Sequence, residues 1–502
     1  MRLTENTRWV LAGLRLWGCL AAVCLARDAR ADTTVSVPLT PTLSTSVTST
    51  GSCTGDCDGN GEVTVDDLLT LVNVALGNAE PSLCPYGVPS GAEVDIALIL
   101  QAVDNALNGC AAAQGITFSV GPDEALTYPS DLTSLPDEHT TFIPPPAGSD
   151  TYLVFAATFG ATTGAPVVLE TTDLQTFTLA AGYTQPVMSP PLHFTTCKSS
   201  YDPEFDLNYA APGSVVQDPT LPPGNLIMIY EAENHCPGGV WQQPFYVTVG
   251  FTRSSDNGNT WPQPVDSELG GPDRYPVLKI STPEPTTAEQ PPVPLGDALP
   301  SAFVDGNNLG NNLYVTYHFV GPGSDGLARV ARATLGGDGQ LSFLKWHNGA
   351  FSEPGIGGLD SGVLPSHGCT GYQDMAHISY NDALGVYLMT FVCVSLEQGP
   401  TSVSEPYQAA WYFSTATSLD DQNWAAPQLI ENSQFPVTQA CGIDGSGAAF
   451  DGWYPSFVSP GAAADHTSAS GRVFFMNGCD TGKRTFMSRT FAITGATGAG
   501  LE

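Results

Sequence analysis

Short apolar runs alternate with turns over most of the chain beyond residue 111. The runs are rich in β-branched and aromatic residues, and Gly, Pro, Asn and Asp separate them. Such segments are typical of antiparallel strands joined by turns. One run recurs every 73 to 87 residues, as YLVFAA from Tyr152, LIMIYE from Leu226, LYVTYH from Leu313, VYLMTF from Val386 and VFFMNG from Val473. This long period predicts a repeat architecture.

Other strands repeat together with this run. A strand precedes it in four repeats, as PGSVV, PSAFV, AHISY and PSFVS, and a third strand follows it in all five. About four strands in each of five repeats predict a mainly β fold, a five-bladed β-propeller; a six-bladed ring and a pair of β-sandwiches are the alternatives. The segment ITFSV at residues 116–120 precedes the first repeat, and we expect it to complete the last repeat as its outer strand.

The first 31 residues have the layout of a signal peptide. Basic residues flank the apolar run LWGCLAAVCLA, which is too short to span a bilayer and is followed by Ala29-Arg30-Ala31. We therefore expect cleavage before Asp32 and secretion. No later segment reaches transmembrane length, so no membrane span is predicted.

Composition narrows the range of partners. The chain has 16 basic and 50 acidic residues, a formal net charge of −34. Nucleic acid and anionic membrane surfaces are therefore excluded as expected partners. Neutral ligands such as glycans, or calcium, suit this charge better.

A small unit precedes the β region. Residues 32–52 are rich in Thr and Ser and predict an extended linker. Residues 53–110 begin and end in cysteine and form the next compact unit, and residues 111–502 form the propeller. Four cysteines, at positions 53, 57, 84 and 110, allow three pairings within the small unit, and the sequence does not select one.

The small unit contains a calcium-loop pattern in DCDGNGEVTVDD. Oxygen ligands are predicted at alternate positions, with a glycine at the sharp turn and an acid at position twelve: Asp56, Asp58, Asn60, Glu62 through its carbonyl, and Asp67. The following run LLTLVNVALG predicts an exit helix with Leu68, Leu69, Val72 and Leu76 on one face. A second helix is predicted by the apolar residues Val94, Ile96, Ile99, Val103 and Leu107.

This loop, its exit helix and a degenerate second copy resemble type I dockerins. The second copy has Gly87, Pro89, Gly91 and Leu98 at the ligand positions, so the sequence predicts one calcium where the family usually binds two. The resemblance implies a cohesin-like scaffold or surface protein as partner.

The β region carries a second resemblance. The segment SSDNGNTW, residues 254–261, resembles the Asp-box of sialidases, with weaker echoes at residues 171–177 and 418–424. Its aspartate is expected to cap a turn and its aromatic residue to pack into the blade, a structural role. Five repeats with a TDLQTF turn are more similar to arabinanase- and fructosidase-like glycosidases than to six-bladed sialidases. A sialidase would also need three arginines clamping the sugar carboxylate, which the positions of the arginines do not indicate.

These glycosidases place carboxylates at the starts of first strands and the ends of second strands. Here those places hold Glu231, Glu233, Asp374 and Asp451, which are our candidate catalytic residues. The Asp-Pro start of the family's first strand is replaced by Ala211-Pro212 and Leu299-Pro300, so acid and base cannot be transferred by position. The six cysteines of this region are expected to pair within repeats, as Cys197–Cys236, Cys369–Cys393 and Cys441–Cys479.

The sequence therefore predicts a secreted carbohydrate-active protein that hydrolyses O-glycosyl bonds. The alternative is a cell-surface propeller without enzymatic activity that binds glycan or protein. No cofactor other than calcium is predicted.

Overall fold

The computed structural model of the protein describes most of the chain between residues 54 and 495. The described residues are 54–58, 63–88, 94–108, 116–132, 135–158, 165–188, 204–235, 245–263, 267, 270–282, 295–306, 311–321, 323–337, 339–365, 369, 371–395, 408–435, 451–479 and 483–495. The predicted signal peptide and linker, with Asn60, Glu62 and five of the cysteines discussed above, lie outside them.

The small unit contains two α-helices and one 3-10 turn. They are α1 (Val65–Ala75), the turn Pro81–Leu83 and α2 (Ile96–Asn108). Thr64 caps α1: its hydroxyl accepts the Asp67 N–H, and the Asp67 carboxylate accepts the Thr64 N–H, the reciprocal pair of a capping box. A disulfide joins Cys57 to Cys84. The sequence left three ways of pairing the four cysteines open, and this bridge occurs in only one of them.

Both predicted helices are present, and Leu69, Val72 and Leu76 do share one face of α1, but this face is not the one that packs against α2. Leu71 is fully buried against Leu98 and Ala102 of α2, with Leu68 beside them. Leu69, Val72 and Leu76 are exposed instead. The unit is only two helices thick, so one side of each helix has a packing partner, and periodicity alone does not say which side.

The rest of the described chain is mainly β, as predicted. Its strands are β1 (Thr117–Val120), β2 (Glu124–Ala125), β3 (Thr141–Ile143), β4 (Tyr152–Thr158), β5 (Ala165–Thr171), β6 (Thr178–Leu179), β7 (Tyr209–Gln217), β8 (Leu226–His235), β9 (Phe245–Ser254), β10 (Arg274–Leu278), β11 (Leu295–Asp305), β12 (Asn312–Val320), β13 (Ala328–Thr334), β14 (Leu344–His347), β15 (Ala350–Pro354), β16 (Tyr372–Asn381), β17 (Val386–Ser395), β18 (Gln408–Ala416), β19 (Gln428–Leu429), β20 (Trp453–Val458), β21 (His466–Thr467), β22 (Ser470–Cys479) and β23 (Lys483–Thr494). No described helix is long and apolar enough to cross a membrane.

The described strands form five antiparallel runs. Run 1 is β3-β4-β5-β6, run 2 is β7-β8-β9-β10, run 3 is β11 to β15, run 4 is β16-β17-β18-β19 and run 5 is β20-β22-β23-β1. Runs 2 and 3 join into one sheet where β11 pairs in parallel with β9. Residues 117–120 pair with β23, so the expectation that this early segment completes the last repeat is confirmed.

The first strands of the five runs contact one another in a closed ring. Thr141 Oγ1 accepts the Val215 N–H at 3.0 Å, and Ser214 and Ser301 are joined through their hydroxyls at 3.1 Å. Further links are Ser301 Oγ to His377 Nδ1 at 2.6 Å, the Tyr454 N–H to Met375 Sδ at 3.2 Å, and the Thr140 N–H to Ser456 Oγ at 3.0 Å. The last of these returns to run 1 and closes the ring.

The apolar cores follow the same order. Each of five large clusters is shared by two consecutive runs, and examples are Phe155 with Met228, Ile227 with Leu313, Tyr314 with Phe391, Trp411 with Phe475, and Phe474 with Phe142. Apolar burial at about 25 cal/mol per Å² therefore stabilises the runs face to face.

A bulge interrupts several first strands at one repeat position. The register shifts between Ala298 and Ser301, Asp374 and His377, and Trp453 and Ser456. Leu299, Met375 and Tyr454 at these shifts have φ angles of 54°, 55° and 57°, which is uncommon for residues other than glycine. Bulges re-aim side chains and backbone N–H groups, and here they do so beside the carboxyl groups described below.

The Asp-box turn has the predicted structural role. Asp256 Oδ1 accepts the Thr260 N–H at 2.9 Å, Asp256 Oδ2 accepts the Thr260 hydroxyl at 2.7 Å, and Trp261 is buried. In the weaker echo of run 1, Asp173 caps the equivalent turn, and the side chain of Phe177 is buried.

Candidate active site

Three buried glutamates form the centre of the site, which we call the acid cluster: Glu138, Glu231 and Glu233. Glu138 precedes β3, while Glu231 and Glu233 lie two residues apart on β8 and so point to the same side of the strand. Their exposed fractions are 2%, 4% and 8%. Glu231 and Glu233 had been predicted as site residues from the sequence, and the structure brings them together.

Glu231 and Glu233 hydrogen bond to each other. Glu231 Oε2 also accepts the N–H of Leu299 at the bulge of β11. Two carboxyl groups in direct contact hold at least one proton, because two adjacent charges repel. Burial raises the pKa of Glu233 to about 7, although the hydrogen bond with Glu231 lowers it in part.

Glu138, Tyr209 and Tyr454 are further buried titratable groups that interact with Glu231 and Glu233. Burial raises the pKa of Glu138 well above its usual range, and the charges of Glu231 and Glu233 raise it further. Tyr209 lies opposite Glu233 in the β7–β8 ladder. Burial and the neighbouring glutamates raise the pKa of both Tyr209 and Tyr454 well above 10, so both phenols are neutral.

Two stacked histidines lie next to the acid cluster: His139 follows Glu138 directly before β3, and His377 lies on β16. The rings of His139 and His377 are 4.3 Å apart between centroids. Ser456 Oγ lies 3.1 Å from His139 Nδ1. Burial lowers the pKa of His139 well below 6.5 and that of His377 to about 4. At neutral pH neither imidazole offsets the negative charge of the glutamates.

Asp374, another predicted site residue, lies at the edge of the same site. It begins the bulge of β16, and 17% of its side chain is exposed. His318 Nδ1 lies 3.2 Å from Asp374 Oδ1. Burial lowers the pKa of His318, although Asp374 raises it in part. Tyr454 interacts electrostatically with Asp374 as well as with all three glutamates, which links Asp374 to the acid cluster.

A disulfide holds the strand pair that carries Asp374. Cys369 is bonded to Cys393, which lies opposite Gln373 in the β16–β17 ladder. This pairing within one repeat is confirmed.

Asp451, the remaining predicted catalytic residue, forms a hydrogen bond with the backbone. Its Oδ1 accepts the Gly478 N–H at 3.1 Å, which ties the start of run 5 to β22. This backbone hydrogen bond is the contact by which the structure places Asp451, and its catalytic role stays a prediction.

Glu138, His139 and Tyr209 were not among the residues predicted from the sequence. The four first strands recognised there begin at the second repeat, and the segment EHTTFIP before the first recurrent run was not aligned with them. With EHTTFIP placed as the first strand of run 1, an acid and a histidine would have fallen at the start of a first strand.

Each of the seven described arginines lies in an ion pair with an aspartate or glutamate. The pairs are Arg253–Asp218, Arg274–Asp206, Arg329–Asp360, Arg332–Asp420, Arg472–Glu124, Arg484–Asp137 and Arg489–Asp123. No triad of arginines converges on the acid cluster within the described ranges.

A second group of carboxylates lies in the small unit. One oxygen each of Asp56, Asp58 and Asp67 falls within 4.8 Å of the other two. An all-oxygen set at this spacing fits a hard cation such as Ca²⁺, whose ligands lie at about 2.3–2.6 Å from the ion. Burial raises the pKa of Asp67, but hydrogen bonds from Thr64, Cys57 and Asp58 outweigh burial and lower it overall.

Comparisons with known proteins give only a distant likeness. No protein-family model matches the chain. No curated protein matches it either. Among solved structures, the catalytic domain of a GH62 α-L-arabinofuranosidase from Coprinopsis cinerea is 12% identical, with a TM-score of 0.38, and the match covers 75% of this chain and 97% of that chain. A family 117 glycoside hydrolase from Zobellia galactanivorans is 10% identical, with a TM-score of 0.39, over 76% and 90% of the two chains. A protein of unknown function from Dyadobacter fermentans is 9% identical, with a TM-score of 0.39, over 75% and 99%. At these values neither fold nor activity is transferred to this chain, and both rest on its own residues.

Proposed function

We propose that this protein is a secreted glycoside hydrolase whose five runs are the blades of a five-bladed β-propeller. The observation that carries the proposal is the acid cluster, three buried carboxyl groups that come from β8 and from the segment directly before β3. Strongly perturbed carboxyl groups of this kind collect at catalytic sites, because burial keeps a proton on an acid at neutral pH. The ring of first strands and the cores shared by consecutive runs support the propeller.

The hydrogen bond between Glu231 and Glu233 limits the roles that these two residues can take. The two carboxyl groups that flank a glycosidic bond stand roughly 5–10 Å apart in glycosidases. Groups in direct contact are closer than this, so Glu231 and Glu233 together supply one of the two. Glu233 has a pKa of about 7 because it is buried, and it donates the proton to the leaving oxygen; its hydrogen bond with Glu231 keeps this pKa from rising further.

Asp374 supplies the second carboxyl group. It lies on run 4, whereas the glutamates lie on run 2 and before run 1. The two sides of the proposed site therefore come from different runs. It is more exposed than any member of the acid cluster. Asp374 would act on the anomeric carbon, either through a water molecule or directly. The stacked histidines and the tyrosines orient these groups without adding charge.

The small unit is proposed to bind one calcium ion and to attach the enzyme to a cohesin-like protein. The carboxylates of Asp56, Asp58 and Asp67 would hold the ion. Support for a protein partner comes from an exposed apolar stripe along α1, formed by Val65, Leu69, Val72 and Leu76. Leucine and valine exposed in line on one helix indicate a docking face.

Hydrolysis of aryl glycosides and of plant and bacterial polysaccharides by the mature protein tests the enzymatic proposal. The variants are Glu233→Gln and Asp374→Asn, with Asp451→Asn as the matched control outside the acid cluster. Loss of turnover in the first two but not in the control is the expected result. If the folded wild-type protein turns over no substrate and a glycan array shows binding, the alternative of a binding propeller takes the place of this proposal.

A further inference from the structure

A chain of three side chains connects runs 5, 1 and 2 beside the acid cluster. Arg484 of β23 forms an ion pair with Asp137, which precedes Glu138 in the sequence. Tyr209 of β7 donates its hydroxyl proton to Asp137 Oδ2 and to the Asp137 carbonyl, both at 2.9 Å. The exposed fractions of Arg484, Asp137 and Tyr209 are 8%, 5% and 6%.

The direction of these hydrogen bonds determines whether the Tyr209 oxygen can donate or accept a further hydrogen bond. A phenol has one proton, and Tyr209 directs it to Asp137, so its oxygen can only accept a further hydrogen bond. Glu233 is its cross-strand neighbour, and opposed side chains in a ladder have Cβ atoms about 4.5–5.5 Å apart. A protonated carboxyl group can donate to this oxygen, whereas an ionised one cannot.

We propose that Arg484, Asp137 and Tyr209 form a positioning relay that makes the Tyr209 oxygen a hydrogen-bond acceptor for the carboxylic acids of Glu233 and Glu138. The relay keeps the proton on the acid cluster, and it deepens the proposed function, on which it rests for the role of Glu233. None of its three members is a catalytic residue.

The charges around the relay determine whether each substitution raises or lowers the pKa of the glutamates. The described groups that act electrostatically on Tyr209 are Glu138, Glu231, Glu233 and Tyr454, and Asp374 acts in turn on Tyr454. The neutral imidazole of His139, stacked on that of His377, follows Glu138 in the chain. Tyr209→Phe removes the acceptor and favours ionisation of the glutamates. Arg484→Met removes a positive charge and leaves Asp137 uncompensated, which disfavours their ionisation. The two substitutions therefore act in opposite directions.

Two readouts on the full protein test the relay. One is the alkaline limb of the pH dependence of kcat/KM, and the other is infrared titration of the protonated carboxyl stretch, which needs no turnover. Tyr209→Phe should lower both midpoints by about one pH unit, and Arg484→Met should raise them by a similar amount. Arg484→Lys keeps the charge and should rescue the wild-type profile, and Arg472→Met, on the neighbouring strand β22, should leave it unchanged.

The outcomes separate the relay from the proposed function. Infrared shifts of opposite sign in a protein without turnover would support the relay and reject glycoside hydrolysis. Turnover with unchanged midpoints in both variants, or with shifts of the same sign, would reject the relay and leave hydrolysis standing. Should Arg484→Met fail to fold, Tyr209→Phe against Arg484→Lys still decides the question.

Discussion

The Glu233→Gln variant should be more stable than the wild type at pH 8 and about equal to it at pH 4. In the folded protein the pKa of Glu233 rises from 4.5 to about 7, while the unfolded chain keeps the ordinary value. Between these two values the unfolded state releases a proton that the folded state retains. Wild-type stability is therefore lost as the pH rises through this window, and no further loss from this group follows above about pH 7.

The size of the effect follows from the same two values. A rise from 4.5 to about 7 corresponds to about 3 kcal/mol of unfolding free energy at pH 8. Glutamine resembles the protonated acid in shape and does not ionise, so the variant escapes this loss. The charge of Glu233 also raises the pKa of Glu138, so its removal makes Glu138 easier to ionise in the folded protein and adds to the difference with the same sign.

Urea unfolding followed by tryptophan fluorescence at pH 4, 5, 6, 7 and 8 measures this difference. Glu353→Gln, which alters a carboxyl group on the outer strand β15, is the control and should follow the wild type at every pH. Parallel curves for the wild type and Glu233→Gln would refute the reasoning, because they would mean that folding does not raise the pKa of Glu233.

Three further predictions concern other parts of the molecule. Asp256→Ala removes the cap of the Asp-box turn and should lower the unfolding free energy by about 1 kcal/mol while leaving hydrolysis unchanged, as measured by urea unfolding and initial rates. Asp56→Ala should abolish calcium binding in titration calorimetry, whereas Asp66→Asn in the first turn of α1 should retain it; binding by both proteins would contradict the assignment. Replacing Cys369 and Cys393 by serine opens a loop with a sequence separation of 24 and should lower the unfolding free energy by about 3 kcal/mol, with a fall in kcat because Asp374 lies beside the bridge.

The repeat pattern made the strands predictable. The recurrent apolar run forms the second strand in all five runs, because each such strand is buried between two neighbouring runs and therefore reads as a continuous apolar segment. The Asp-box turn was equally predictable, because Asp256 forms hydrogen bonds with residues within four positions of it in the sequence.

The site was only partly predictable, because its members come from distant parts of the chain. Glu231 and Glu233 could be found from their place at the end of a second strand. Their mutual hydrogen bond is local because both lie on β8, whereas the contribution of Glu138 depends on the packing of run 1 beside run 2, which no local pattern records. Asp451 occupies a similar place in its repeat but turns to the Gly478 backbone.

The small unit shows the same limit. Helix α1 was predicted by its apolar residues, but which of its faces is buried depends on where α2 packs. Leu71 meets α2, and the stripe of Leu69, Val72 and Leu76 is left exposed. The convergence of the Asp56, Asp58 and Asp67 carboxylates could be predicted because their spacing is fixed within one loop.

The most direct test of the central claim is the rate of Glu233→Gln on substrates with good and poor leaving groups. If Glu233 protonates the leaving oxygen, kcat/KM should fall by roughly a hundredfold or more for an alkyl or unsubstituted aryl glycoside, and much less for a dinitrophenyl glycoside, which leaves without a proton. Equal losses on both substrates, or no loss on either, would contradict the assignment of the acid cluster as the catalytic centre.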